Sequence, residues 1–149
     1  HNATTPLSPV ARETWLRACD EHWHNPSSLY RDAAKARIRL DGAREQLAEF
    51  LGIDAARVVF TSGATEANNM VMHHFAKKLG PTGEVWISAI EHPCVFDSAH
   101  HYFGKRAKLI PVTREGVIDL DWLTMELSDT RPGLVAIMAA NNETGIIQP

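Results

Sequence analysis

Apolar and polar positions along the second part of the chain switch repeatedly between two periods. Val58, Val59 and Phe60 form a brief apolar run of high strand propensity. Thr61, Ser62 and Gly63 then read as a tight polar turn, in which Thr61 or Ser62 caps a helix and Gly63 allows a sharp bend. Past it, Ala67, Val71, Phe75 and Leu79 recur every four residues, as one face of a helix does. The alternation continues with a predicted strand over 84–89 and a helix over 95–103, with Val95, Ala99 and Tyr102 on one face. A strand over 108–112, a turn at Glu115-Gly116, a helix over 119–127 carrying Leu120, Leu123 and Leu127, and a strand over 134–139 complete the pattern. Strands alternating with helices in this way imply βαβ units. The expected fold class is α/β, with a mainly parallel sheet of four strands in this region and helices on both faces.

The first sixty residues read differently. Residues 1–8 form an extended polar arm, and Ser8-Pro9 is a helix start with proline in the first turn. Ala11, Trp15, Ala18 and Cys19 share a face up to about His22. The stretch 24–28 contains Pro26, which pushes Asn25 out of the helical region and marks a loop. A long helix is predicted over 29–51. Its early part is laced with Arg31, Asp32, Lys35, Arg37 and Arg39, and its later part places Leu40, Ala43, Leu47 and Leu51 at helical spacing before Gly52 ends it.

Composition narrows the classes. The 149 residues are 44% hydrophobic and 22% charged, which suits one globular domain with a respectable core. A net charge of −3 leaves no basic footprint for nucleic acid. No apolar run is long enough to span a bilayer, so no membrane association is expected. Cys19 and Cys94 cannot build a disulfide framework, which favours a reducing, cytoplasmic location. The triplets Asn2-Ala3-Thr4 and Asn142-Glu143-Thr144 match the glycosylation pattern, read here as chance. A start at His1 and a stop at Pro149 after a strand and polar loop suggest part of a longer polypeptide.

Ligands of parallel α/β sheets bind outside the carboxyl ends of the strands. Three predicted strands end there in polar sequence: Thr61-Ser62-Gly63-Ala64-Thr65, Ile90-Glu91-His92-Pro93 and Asn141-Asn142-Glu143-Thr144-Gly145. The first offers backbone N–H groups and a helix dipole to an anion such as a phosphate, or is an ordinary capped helix. His92 is a structural residue, a base or a flat stacking partner. Metal ligation is disfavoured, because no cysteine or carboxylate stands at ligand spacing around it. Asn141 and Asn142 form a turn or hydrogen-bond a polar ring substituent. The pairs His73-His74 and His100-His101 lie within helices, where neighbours do not face one another, and read as surface or packing residues.

Five motifs stand in order: Asn2-Ala-Thr-Thr-Pro6, Asn25-Pro-Ser-Ser28, Thr61-Ser-Gly-Ala-Thr-Glu-Ala-Asn-Asn69, Ile90-Glu-His92 and Asn141-Asn-Glu-Thr-Gly145. Together they resemble the pyridoxal-phosphate cysteine desulfurases of the NifS/IscS type, within the class V aminotransferase family. The resemblance runs the length of the chain and implies a fold type I transferase. Residues 1–149 would then be the N-terminal arm and first part of the large, cofactor-binding domain, with the remainder of that domain and a small domain elsewhere. It implies pyridoxal 5′-phosphate as cofactor and roles for matching positions. Ala64 and Thr65 would hold the phosphate through backbone N–H groups and the threonine hydroxyl. His92, the catalytic candidate, would stack on the pyridine ring and assist proton transfers. Asn142 would hydrogen-bond the phenolic oxygen side of the cofactor and the substrate. Ala3, Thr4 and Thr5 would line the substrate pocket. Asn25–Ser28 would lie near a dimer interface; many relatives carry a histidine after it, where this chain has Tyr30.

The implied reaction converts L-cysteine to L-alanine and leaves sulfur as an enzyme persulfide for an acceptor protein, as in iron–sulfur assembly. A homodimer is expected. A selenocysteine lyase or another class V aminotransferase stands beside this reading, as does a non-catalytic remnant that binds a phosphate ligand or a protein. The family's cofactor-bearing lysine, the acid facing the pyridine nitrogen, the carboxylate-binding arginine and the persulfide cysteine have no matching motifs here. None of Lys35, Lys77, Lys78, Lys105 and Lys108 lies in a strand-end cluster, so the 149 residues alone are expected to be inactive. Cys94, at a helix start, reads as a packing residue.

Overall fold

The computed structural model describes residues 3–149, which form two compact units, one of Thr4–Phe60 and one of Thr61–Pro149 together with Ala3. Asn2, which belongs to the first motif and the first glycosylation-like triplet, lies outside the described residues.

In the first unit, α1 (Pro9–Glu21) begins as its sequence requires. Ser8 is the N-cap, and its hydroxyl accepts from Ala11 N–H at 3.2 Å, with proline in the first turn. None of its residues is buried, and Trp15 is 61% exposed, so the apolar face read from the sequence is uncovered within the unit. The loop at Asn25 is an Asx turn, with Ser27 N–H donating to the Asn25 carboxamide at 2.9 Å. Tyr30 caps the next helix by backbone alone, and its hydroxyl lies 3.3 Å from His24 Nδ1. Helix α2 (Arg31–Leu51) starts two residues later than predicted and ends at Gly52, whose φ of 66° is the left-handed conformation glycine adopts without strain. Its charged early stretch is solvated, with Lys35–Asp32 and Arg37–Asp41 pairs spaced along the surface. The buried positions are Ala33, Ala36 and Ala48, whereas Leu40, Leu47 and Leu51 stay partly exposed.

The second unit is a parallel α/β layer. Helix α3 (Ala64–Leu79), strand β1 (Val85–Ser88), helix α4 (Pro93–Phe103), strand β2 (Ala107–Ile110), helix α5 (Leu120–Asp129) and strand β3 (Leu134–Ala136) follow in order. The sheet order is β2-β1-β3, and both pairings are parallel, with Val85 opposite Ala107 on one side and Leu134 on the other. All four residues of β1 are buried, as befits a central strand covered on both faces. Its alternation sorts the helices. Val85 and Ile87 pack with Met72, Val95, Ala99 and Phe103 of α3 and α4. Trp86 points the other way, onto Ile110, Ile118, Trp122 and Leu123, beneath α5. Gly83 and Gly133 admit the end of α3 to the sheet, since a Cβ at either would overlap Leu79.

Three sequence expectations are corrected. Residues 58–60 are extended but belong to no sheet, and Val59 is 66% exposed, so the sheet has three strands among the described residues. A strand exists only where a ladder partner supplies its hydrogen bonds, and propensity cannot provide one. On α3 the buried stripe runs through Met72, with Phe75, Ala76 and Leu79, and Val71 faces out. The chain does bend at Ser62-Gly63, but Gly63 itself is extended, at φ 166° and ψ 178°, so the bend does not draw on the conformational freedom of glycine.

Candidate active site

The C-terminal ends of β1 and β3 and the N-termini of α3 and α4 gather at one edge of the second unit. Helices α3 and α4 lie side by side and run the same way. Asn68 meets Cys94 near their starts, and the His73 and Tyr102 rings are 5.3 Å apart towards their ends. The paired histidines pack or face solvent, as their helical positions predict, with His100 on Phe96 and His101 against Tyr102.

A polar cleft of about 260 Å³ opens at this edge, lined by the loop after β1 (Ile90 to Pro93) and the loop after β3 (Asn141 to Thr144). His92 and Asn142 therefore share one cavity. His92 is the N-cap of α4: its Nδ1 accepts from Cys94 N–H at 3.1 Å, which leaves its exposed ring and Nε2 for a ligand. The two asparagines divide their work. Asn141 accepts from the Glu143 and Thr144 N–H groups, both at 2.9 Å, and donates to the Ile90 carbonyl at 3.1 Å. Its carboxamide thus closes the loop and ties it to the other wall, and Asn142 is the one placed to meet a ligand.

Ala64 and Thr65 do not line that cleft. They stand exposed at the tip of α3, joined to the His92 loop through Asn68 and Cys94. The cap there differs from the expected one. Glu66 reaches back to accept from Ser62 N–H at 2.6 Å and the Ser62 hydroxyl at 2.8 Å. These bonds, the backbone one first, hold its carboxyl below the usual range. Thr61 donates its hydroxyl to the Gly63 carbonyl at 3.0 Å. The N–H groups of Ala64 and Thr65 have no helical acceptor, so the positive end of α3 still faces solvent with donors available to an anion. These donors, a flat imidazole and an uncommitted carboxamide at one edge fit the anionic tail, aromatic ring and ring oxygen of pyridoxal phosphate. No group of three potential metal-binding side chains occurs among the described residues.

Glu91 is the residue that sequence reading overlooked. Its carboxylate accepts from Met138 N–H, a bond between the ends of β1 and β3 that steadies both walls of the cleft. Partial burial pushes its carboxyl above the ordinary glutamate range, opposed by that bond and by His92. A raised folded-state pKa means the native protein binds the proton more tightly than the unfolded chain. The contribution is fully present below the unfolded value and is lost as pH rises through the folded one. The stability of the natural polypeptide relative to its Glu91→Gln variant should therefore fall as pH climbs from about 4 through the raised value. Denaturant titrations at several pH values check this, and a difference that grows with pH contradicts it.

Comparison with known proteins identifies the family of the chain. The Aminotransferase class-V family model matches residues 1–149. A cysteine desulfurase IscS of Rickettsia bellii is 36% identical over 153 residues, which cover 100% of this chain and 37% of the relative. A solved structure of a NifS-like protein superposes with a TM-score of 0.86 at 33% identity, covering 99% of this chain and 41% of that one. A structure of SspA in complex with cysteine gives a TM-score of 0.81 at 30% identity, covering 99% and 43%. The chain thus spans well under half the length of the proteins it matches.

Proposed function

Because the chain belongs to the class V aminotransferase family, we propose that its residues carry part of the active site of a pyridoxal 5′-phosphate-dependent cysteine desulfurase. The observation that carries the reading is the meeting of His92 and Asn142 in one cleft beside the open N-terminus of α3. Cysteine desulfurases among the relatives, and the cysteine named in one neighbour's structure, support the choice of substrate.

Bound at this edge, pyridoxal phosphate supplies an electron sink for bond changes at the amino-bearing carbon of the substrate. The protein's part is to bind and orient. Ala64 and Thr65 offer N–H groups and a hydroxyl to the phosphate, where the α3 dipole also favours negative charge. His92 presents its ring face, and because Nδ1 is held by the α4 cap, Nε2 is the nitrogen left to move a proton. Asn142 would be the donor to the ring oxygen, while Asn141 keeps the loop closed. The overall reaction balances as L-cysteine plus an enzyme thiol giving L-alanine plus an enzyme persulfide. The persulfide then passes its sulfur to an acceptor protein. A homodimer working in the cytoplasm is part of the same proposal. Among the described residues no helix is long and apolar enough to cross a membrane.

The purified natural polypeptide should carry a vitamin B6 chromophore and release alanine from L-cysteine. Selenocysteine and ordinary amino-group donors, assayed in parallel, should be poorer substrates. Colourless protein that releases no alanine in the presence of added cofactor would overturn the proposal and favour a non-catalytic binding role.

A further inference from the structure

The proposed reaction leaves one thiol at this edge without a role. Cys94 is half-buried in the first turn of α4, its Sγ 3.1 Å from Asn68 Nδ2 and 3.0 Å from His92 Nδ1. The direction of these hydrogen bonds follows from which atoms own protons. The Cys94 backbone N–H points at Nδ1 at 3.1 Å, so Nδ1 holds a lone pair. The thiol therefore donates to Nδ1. Having spent its single proton there, the sulfur can only accept from α3, and an amide nitrogen has only hydrogens to give. A row of donors results, running from Asn68 on α3 through the Cys94 thiol to the His92 ring.

We infer that Asn68 and Cys94 are positioning residues that hold the His92 imidazole in its Nε2–H tautomer and tie its orientation to the tip of α3. The inference rests on the reading of His92 as the group that meets the cofactor, and it says how that group is kept ready. Two donors converge on Nδ1, one from backbone and one from the thiol. A proton on Nδ1 would forfeit the backbone bond and would have to reverse the other, donating to a sulfur that already accepts from Asn68, so the nitrogen left to carry the hydrogen is the one facing away from the cap. The same row couples the two halves of the proposed site, since Asn68 lies one turn beyond Thr65 on α3 and Cys94 opens the helix that His92 caps. Neither side chain needs to touch the cofactor.

The test is nitrogen NMR of the natural polypeptide labelled in histidine and freed of cofactor, at about pH 8, where an ordinary imidazole is neutral. His92, assigned by its loss in His92→Asn, should show the Nε2–H tautomer. Cys94→Ala removes one of the two donors and should lower the ratio of Nε2–H to Nδ1–H forms roughly fivefold, the worth of one neutral hydrogen bond. Cys94→Ser should restore the ratio, because its hydroxyl can accept from Asn68 and donate to Nδ1. Asn68→Ala should shift the ratio in the same direction as Cys94→Ala. A proton on Nδ1 in the wild type, or a ratio unmoved by Cys94→Ala, overturns the inference. If Cys94→Ala does not fold, Asn68→Ala decides it, and a ratio unmoved in that variant overturns the inference. Failure of the cofactor reading is seen separately, as no uptake of pyridoxal phosphate by wild-type protein whatever tautomer His92 holds.

Discussion

Replacing Trp86 with alanine is expected to cost about 3–5 kcal/mol of stability, the largest loss from any single truncation in the second unit. Trp86 is fully buried at the centre of the central strand. It fills the space between Ile110, Ile118 and Trp122, whose ring centroid lies 5.7 Å away. Nothing nearby can collapse into the gap, because β1 is fixed by ladders on both sides. Its indole N–H donates to Glu84 at 3.1 Å, but Glu84 keeps Lys108 at 3.1 Å, so the loss is one of packing and not of a stranded charge. Against a typical domain stability of about 5–15 kcal/mol, most of the folded population would be at risk. Denaturant unfolding of the natural polypeptide measures it, and a change under about 1 kcal/mol would show that the two-faced core described above is wrong.

The second large effect concerns His92. Its removal takes away both a ring that can lie on the cofactor and the cap of α4. Two variants separate these contributions. His92→Asn keeps a side-chain oxygen able to accept from Cys94 N–H and loses the ring, whereas His92→Ala loses both. If stacking matters, pyridoxal phosphate should bind roughly tenfold more weakly to both variants. The cap should appear as a further loss of about 1 kcal/mol of stability in the alanine variant alone. Cofactor titrations followed by absorbance, with melting curves alongside, read the two effects. Wild-type affinity in His92→Asn would leave His92 as a cap and nothing more.

Much of this was legible in the residues, and the failures have physical causes. Capping chemistry is local, so Ser8 and Gly52 stand where short-range pattern puts them, whereas Asp119, read as the first residue of its helix, is its cap, with a carboxylate that accepts from Trp122 N–H. The parallel sheet was legible because strands and helices alternate along the second part of the chain, which makes each strand-to-strand connection a crossover. Residues 58–60 misled because apolar propensity says nothing of a partner strand. The face of α1 through Trp15 shows the same limit: periodicity identifies an apolar stripe without naming what covers it. At the site, His92 and the Asn141-Asn142 pair were visible as polar residues at strand ends. The division of labour between the two asparagines was not, since it depends on Ile90 lying across the cleft. Glu91 escaped notice because its partner, Met138 N–H, is 47 residues away in sequence.

The most direct measurement is a crystal structure of the natural polypeptide with pyridoxal phosphate. The phosphate should sit on the Ala64 and Thr65 N–H groups, the ring against His92, and the ring oxygen within hydrogen-bond distance of Asn142. A phosphate bound anywhere other than the tip of α3, with His92 turned away from the ring, would contradict the account.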